Sequence, residues 1–87
     1  MNEILIKQYI NRMTHQDIDE FAKQYGLVLK TNEIEIIYQC IKNNWRTLIY
    51  GNPRGILNDL KSELEPLTYN KLEQLYIYFK EKLKNYL

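Results

Sequence analysis

The chain has 87 residues, of which 45% are hydrophobic and 26% charged, and its formal net charge is +1. Since domains commonly run to roughly 100 to 150 residues, this length predicts one domain, residues 1–87, and excludes a two-domain enzyme. The near balance of 12 Lys and Arg against 11 Asp and Glu excludes an acidic disordered segment and a basic nucleic-acid arm. No apolar run approaches the roughly 20 residues that span a bilayer, and no secretory signal opens the chain. We therefore expect a cytoplasmic protein with no membrane contact.

Three glycines and two prolines are too few for the turns of a β-sandwich, and the apolar residues recur at helical spacing. The sequence predicts an all-α fold, a compact orthogonal bundle of about five helices. The first helix is predicted over residues 2–13. A second helix follows, because Thr14 and Asp17 have capping-box spacing, and Gly26 suits the left-handed residue that ends a helix.

The third helix is expected to begin at a cap within residues 31–32 and to end at residues 43–44. The apolar links on both sides of it favour extended chain rather than helix. They predict a minimal two-strand pairing between residues 27–29 and 47–50.

Two prolines mark the boundaries of the remaining helices. Asn52 as N-cap and Pro53 at the first helical position predict the start of the fourth helix, which ends before Pro66. Thr68 is expected to cap the last helix. Apolar residues repeat along that helix at three- and four-residue steps, which is the strongest periodic signal in the chain: Leu72, Leu75, Tyr76, Phe79, Leu83 and Tyr86.

Residues of catalytic or metal-binding type are few. His15, the single histidine, is predicted to lie exposed in the first turn of the second helix, and Cys40 to be a small, buried and inert residue. Neither can supply a metal site or a nucleophilic triad alone. The sequence therefore predicts no catalytic residue, no cofactor, no metal and no small-molecule substrate. Arg54 at a helix start could hold an anion with Arg46 if the fold brings the two together.

Nucleic-acid binding is the alternative function. The link between the second and third helices is longer than the turn of a helix-turn-helix motif. Glu33 and Glu35 near the start of the third helix would repel phosphates there. The last helix is the most basic stretch, and a solvated helix face explains its lysines: Lys71, Lys80, Lys82 and Lys84. A weak DNA- or RNA-binding accessory role is therefore not favoured.

Four apolar residues fall outside the main helical stripes. Ile4 and Leu5 lie off the stripe of the first helix, and Ile77 and Tyr78 lie off that of the last. A small core is filled by the main stripes, so these residues are either exposed or covered by a partner. They predict a partner surface, used for self-association as a two-fold homodimer or for another protein. The favoured function is a non-enzymatic protein-interaction module.

Several segments carry a resemblance to a known family. They are residues 15–26, Leu29-Lys30-Thr31 opening a helix, Leu48-Ile49 before a polar turn, and Glu65-Pro66-Leu67-Thr68 before a long helix ending in Phe79 and Leu83. Together they resemble the family called domain of unknown function 2624, small cytoplasmic proteins of Bacillus-type bacteria, over about residues 13–84. The resemblance implies an all-α fold and brings no established activity and no functional residues.

Overall fold

Residues 3–84 are described by the computed structural model, and within them five α-helices are joined by short links. The helices are α1 (Glu3–Arg12), α2 (His15–Gln24), α3 (Thr31–Tyr50), α4 (Arg54–Glu63) and α5 (Pro66–Leu83). They form a compact all-α bundle, so the predicted fold class is confirmed. Tyr86, the last residue of the predicted stripe, lies outside the described residues.

The start and end of α2 are as predicted. The Thr14 hydroxyl accepts the Asp17 N–H at 3.1 Å, and the Asp17 carboxylate accepts the Thr14 N–H at 2.9 Å. This capping box satisfies two amides that the first helical turn leaves without partners. Gly26 follows the helix with a φ of 76°, a conformation that other residues adopt only with steric strain. The local chain signals therefore fix both ends of α2.

Helix α3 begins earlier than predicted, with Lys30 and not a residue of 31–32 at the N-cap. The Glu33 carboxylate accepts the Lys30 N–H at 2.7 Å, and the same carboxylate accepts the Thr68 hydroxyl of α5 at 2.6 Å. The tertiary bond to Thr68 holds Glu33 in place, so Glu33 satisfies the first amide of the helix in preference to a local cap. The start of α3 is thus set by a contact with α5.

The predicted pairing of residues 27–29 with 47–50 is wrong, because residues 47–50 belong to α3 and no strand is present within residues 3–84. Asn44 has non-helical φ and ψ of −132° and 15°, and its side chain donates to the Cys40 carbonyl at 3.0 Å. The helix therefore kinks at Asn44 and then resumes. Leu48 and Ile49 after the kink are buried, and the burial of their side chains outweighs a weak preference for extended chain.

The starts of α4 and α5 also differ from the prediction. The Asn52 side chain accepts the Arg54 N–H at 3.1 Å, but Pro53 takes the N-cap position, one residue later than predicted. Helix α5 begins at Pro66, where the missing amide hydrogen of proline costs no helical hydrogen bond. Thr68 therefore lies inside α5 and does not cap it, which leaves its hydroxyl for Glu33.

The core draws on every helix and is densest along α5. The predicted stripe of α5 is confirmed over the described residues, with Tyr76 half-buried and the other members buried. The buried apolar residues are Ile6, Ile10, Met13, Ile18, Ala22, Leu29, Ile37, Trp45, Leu48, Ile49, Leu60, Leu64, Tyr69, Leu72, Leu75, Phe79 and Leu83. Tyr69, near the start of α5, belongs to the same core cluster.

Candidate interaction surface

The four residues of the predicted partner surface are all exposed. Exposed fractions are 72% for Ile4, 51% for Leu5, 56% for Ile77 and 38% for Tyr78. Tyr9 of α1 is exposed as well, at 38%. The outer side of α1 therefore presents three apolar side chains to solvent, beyond what the sequence pattern predicted.

A groove runs between α1 and the end of α5. On the α1 side it is lined by Leu5, Gln8, Tyr9 and Arg12, and on the other side by Asp17 of α2 and Leu83 of α5. The four α1 residues have the spacing i, i+3, i+4 and i+7, which places them on one face of the helix. The groove has a volume of about 280 Å³. We call it the α1–α5 groove.

Two charged side chains, Asp17 and Arg12, line the α1–α5 groove, and they differ in their contacts with other residues. The Asp17 carboxylate is engaged by the Thr14 N–H and lies in the first turn of α2, where the helix dipole favours negative charge. Arg12 makes no ion pair with any residue between 3 and 84. The Lys82 ammonium of α5 stands 5.5 Å from the centre of the Phe21 ring of α2 and does not line the groove. The groove is therefore lined by one cation and one carboxylate.

Helix α1 is held to the bundle by polar contacts from α3 as well as by burial. Lys42 donates to the carbonyl oxygens of Ile10 and Asn11 at 2.5 and 3.0 Å, so an ammonium group binds the last carbonyls at the negative end of α1. Arg46 donates to the Glu3 carboxylate at the other end of α1. These contacts fix α1 against α3 and leave its groove-facing side free of α3.

Arg46 and Arg54 have different neighbours. Arg46 is paired with Glu3, and its guanidinium stands 4.8 Å from the centre of the Trp45 ring. Arg54 lines a separate shallow depression with Asn52 and Tyr69 at the start of α4. An anion site shared by the two arginines is therefore not formed.

Tyr78 belongs to an aromatic cluster that joins α2 to α5. Its ring stacks on Tyr25 with centres 4.1 Å apart and planes 5° from parallel, and Tyr25 meets Phe21 edge-on at 5.1 Å. Phe21 in turn meets Phe79 at 6.3 Å. Tyr25 is 41% exposed because it lies at the outer end of this cluster. The stack covers part of Tyr78 and leaves Ile77 beside it uncovered.

His15 lies exposed as predicted, whereas Cys40 is less buried than predicted. His15 is exposed; its ring stacks on Tyr38 at 3.8 Å and its Nε2 lies 3.2 Å from the Glu35 carboxylate. The hydrogen bond with His15 lowers the pKa of Glu35. Cys40 is half-buried beside an apolar cavity of about 70 Å³, and burial raises the pKa of its thiol. Nothing in the described part of the chain groups three or more metal-ligating side chains.

The sequence did not predict the role of Glu33, which was expected only as a carboxylate near the start of the third helix and is 6% exposed. Burial alone would raise the pKa of Glu33, but the hydrogen bonds from the Lys30 amide and the Thr68 hydroxyl, with the charges of Lys30 and Lys71, outweigh it and lower that pKa. The three-residue spacing between Lys30 and Glu33 is a signal that could have indicated this cap.

Comparison with protein-family models, with curated proteins and with solved structures finds no match to the chain. The resemblance to the domain of unknown function 2624 family stays a prediction. Among the helices of residues 3–84, none combines the length and the apolar character that crossing a bilayer requires.

Proposed function

We propose that the protein is a non-enzymatic protein-interaction module of the bacterial cytoplasm. The observation that carries the proposal is the apolar outer side of α1, where Ile4, Leu5 and Tyr9 are exposed next to the α1–α5 groove. Contiguous exposed apolar surface rimmed by polar residues is typical of protein-binding sites. Ile77 and Tyr78 of α5 are exposed as well. The partner is either a second copy of the chain or another protein.

The residues of catalytic type support a non-enzymatic role. A thiol acts as a nucleophile in its deprotonated form, so the raised pKa of Cys40 works against that chemistry. His15 is exposed and engaged with Glu35 and Tyr38 on the surface formed by α2 and α3.

The distribution of lysines favours protein over nucleic acid. Lys80 stands 5.6 Å from the centre of the Tyr76 ring, and Lys82 stands 5.5 Å from that of Phe21. The two lysines are about 200° apart around α5, so they do not form one basic face. A weak DNA- or RNA-binding role would require a continuous basic face that follows the phosphate backbone.

The test compares the native chain with the double variant Ile77→Lys and Tyr78→Lys and with a second double variant, Ile4→Lys and Leu5→Lys. Sedimentation and light scattering over a concentration series measure self-association, and pull-down from the native cytoplasm with and without nuclease measures other partners. Leu67→Lys is the control, because Leu67 is 67% exposed near the opposite end of α5. We expect at least one double variant to lose a nuclease-resistant interaction that the control retains. If neither variant changes the mass or the proteins recovered, the proposed function is wrong.

A further inference from the structure

Tyr25 at the end of α2 and Tyr78 of α5 stack ring on ring at the protein surface. We propose that these two residues are a site of oxidative cross-linking, at which a one-electron oxidant, a haem peroxidase supplied with hydrogen peroxide, joins the rings in a dityrosine bond. The inference goes beyond the proposed function and does not depend on it, because the cross-link forms within one molecule. We call the two rings the tyrosine stack.

The geometry of the tyrosine stack brings carbon atoms of the two rings together. The ring centres are 4.1 Å apart and the ring planes are 5° from parallel. Since carbon atoms attract each other best at about 3.5 to 4.0 Å, the facing atoms of the two rings lie near van der Waals contact. No other two tyrosine rings pack against each other within residues 3–84. In this part of the chain the stack is therefore the place where two phenols are held side by side.

The tyrosine stack rests on the core, but its side chains are free to turn. Tyr25 meets Phe21 edge-on at 5.1 Å, and Phe21 meets the buried Phe79 of α5 at 6.3 Å. The two tyrosine side chains are themselves 41% and 38% exposed, so an oxidant in solution reaches both. Exposed side chains change rotamer in picoseconds to nanoseconds. Such motion lets a carbon of one ring meet a carbon of the other without unfolding of either helix.

The other described tyrosines are less suited to coupling within the molecule. Tyr69 is buried, Tyr38 is half-buried against a histidine ring, and Tyr76 is half-buried with its hydroxyl bound to a backbone carbonyl. Tyr9 and Tyr50 are exposed, but neither ring packs on another tyrosine within residues 3–84. Coupling between molecules slows on dilution, whereas two groups already held together react in a unimolecular step. In dilute protein the tyrosine stack should therefore give the main product.

The coupling removes one hydrogen atom from each tyrosine. Each phenol gives one electron and one proton to the oxidant and becomes a phenoxyl radical. Part of the unpaired electron lies on the Cε carbons beside the oxygen, and one such carbon of each ring forms the new bond. Each bonded carbon then loses its hydrogen as a proton while the oxygen of the same ring gains one, which restores both phenols. Hydrogen peroxide, through the peroxidase, accepts the two electrons and two protons and becomes two molecules of water.

The new bond ties the end of α2 to α5, two elements that are far apart in the chain. A covalent link between distant positions reduces the freedom of the unfolded chain, as a disulfide does, and so favours the folded state. We therefore expect the cross-linked monomer to unfold at a higher urea concentration than the untreated chain.

The experiment treats the full native chain at high dilution with a haem peroxidase and hydrogen peroxide. Dityrosine fluorescence, intact mass and mass spectrometry of proteolytic peptides measure the product. We expect a monomer that has lost two hydrogen atoms and that yields a cross-linked pair of peptides containing Tyr25 and Tyr78. Free tyrosine in a parallel reaction shows that the oxidant is active.

Matched substitutions test which phenols react. Tyr25→Phe and Tyr78→Phe each keep an aromatic ring in the stack and remove a phenol, so each should lose the monomeric dityrosine product. Tyr9→Phe and Tyr50→Phe remove exposed phenols outside the stack and should retain that product. Circular dichroism of the untreated variants checks their folding. Peptide mapping of the native chain decides the question where a variant does not fold.

Three results would overturn the inference. One is dityrosine found only in covalent dimers and larger species, because the reacting tyrosines would then belong to different molecules. Another is a monomeric product that persists in folded Tyr25→Phe, or whose peptides contain other tyrosines. The third is the absence of dityrosine from the native chain under conditions that couple free tyrosine.

Discussion

Helices α1 and α5 both expose apolar side chains, but the bundle holds them in different ways. Helix α5 has 18 residues, of which five are buried: Tyr69, Leu72, Leu75, Phe79 and Leu83. Helix α1 has 10 residues, two of them buried, and is tied at its ends by Lys42 and Arg46 of α3. We therefore expect the stability of the fold to depend mainly on α5. Helix α1 buries fewer residues and also has an exposed apolar side. A binding surface can be placed on α1 at little cost to folding.

The largest expected loss of stability comes from substitutions in the core along α5. Replacing Phe79 or Leu72 by Ala should destabilise the domain by about 2 to 5 kcal/mol, because both side chains are buried and the change leaves a cavity. Urea unfolding followed by circular dichroism measures the change in free energy. Leu67→Ala on the same helix is the control, since this residue is 67% exposed and should change stability by less than about 0.5 kcal/mol. A change that small at Phe79 would contradict the assignment of the α5 stripe to the core.

The next effect concerns the buried carboxylate that joins the start of α3 to α5. Replacing Glu33 by Ala should cost about 1 to 3 kcal/mol, because the Lys30 amide and the Thr68 hydroxyl lose their acceptor. A double-mutant cycle with Thr68→Val isolates the contact between the helices. If the two changes add without coupling, the hydrogen bond between Glu33 and Thr68 does not contribute to stability.

The same carboxylate predicts a pH dependence. The pKa of Glu33 is lowered in the folded chain, so its ionised form stabilises the fold at pH above the ordinary glutamate value, and this contribution is lost as pH falls through the lowered value. The difference in unfolding free energy between the native chain and Glu33→Gln should therefore narrow on acidification. A difference that widens at low pH would show that the folded state favours the protonated acid.

These contacts also show what the sequence could and could not predict. The capping box of Thr14 and Asp17, the left-handed Gly26 and the stripe of α5 depend on residues a few positions apart, and each was predicted correctly. The position of Glu33 at the start of α3 depends on its contact with Thr68, 35 positions away. Spacing along the chain does not encode such a contact.

The same distinction between local and long-range contacts applies to the end of α3 and to the candidate surface. The predicted end of α3 at residues 43–44 is wrong: the helix kinks at Asn44 and then resumes, because the following residues are buried and the Tyr76 hydroxyl satisfies the Leu48 carbonyl. Exposure of Ile4, Leu5, Ile77 and Tyr78 was predicted from their angular positions. The α1–α5 groove could not be, because it depends on how α1 lies against α5.

A smaller loss of stability is expected from a substitution that weakens the attachment of α1 alone. Lys42→Met removes the ammonium that satisfies the carbonyls of Ile10 and Asn11, and we expect a loss of about 1 kcal/mol. Hydrogen exchange should show faster opening of α1 amides with little change in α5, because local stability differs across a fold. Lys7→Met is the matched control, since Lys7 is exposed on α1. Equal acceleration in α1 and α5 would mean that α1 does not open separately.

The smallest expected effect on stability is at the groove itself. Leu5→Gln and Arg12→Gln should each change the free energy of unfolding by less than about 0.5 kcal/mol, because both side chains are exposed and Arg12 makes no ion pair within residues 3–84. Ile10→Ala on the same helix should cost about 2 to 5 kcal/mol, since Ile10 is 1% exposed. The free energies of unfolding of the three variants, measured in urea, thus distinguish the side of α1 that packs in the bundle from the side that folding does not require. If Leu5→Gln proves as costly as Ile10→Ala, then Leu5 supports the packing of α1, and its exposed surface is not free to serve a partner.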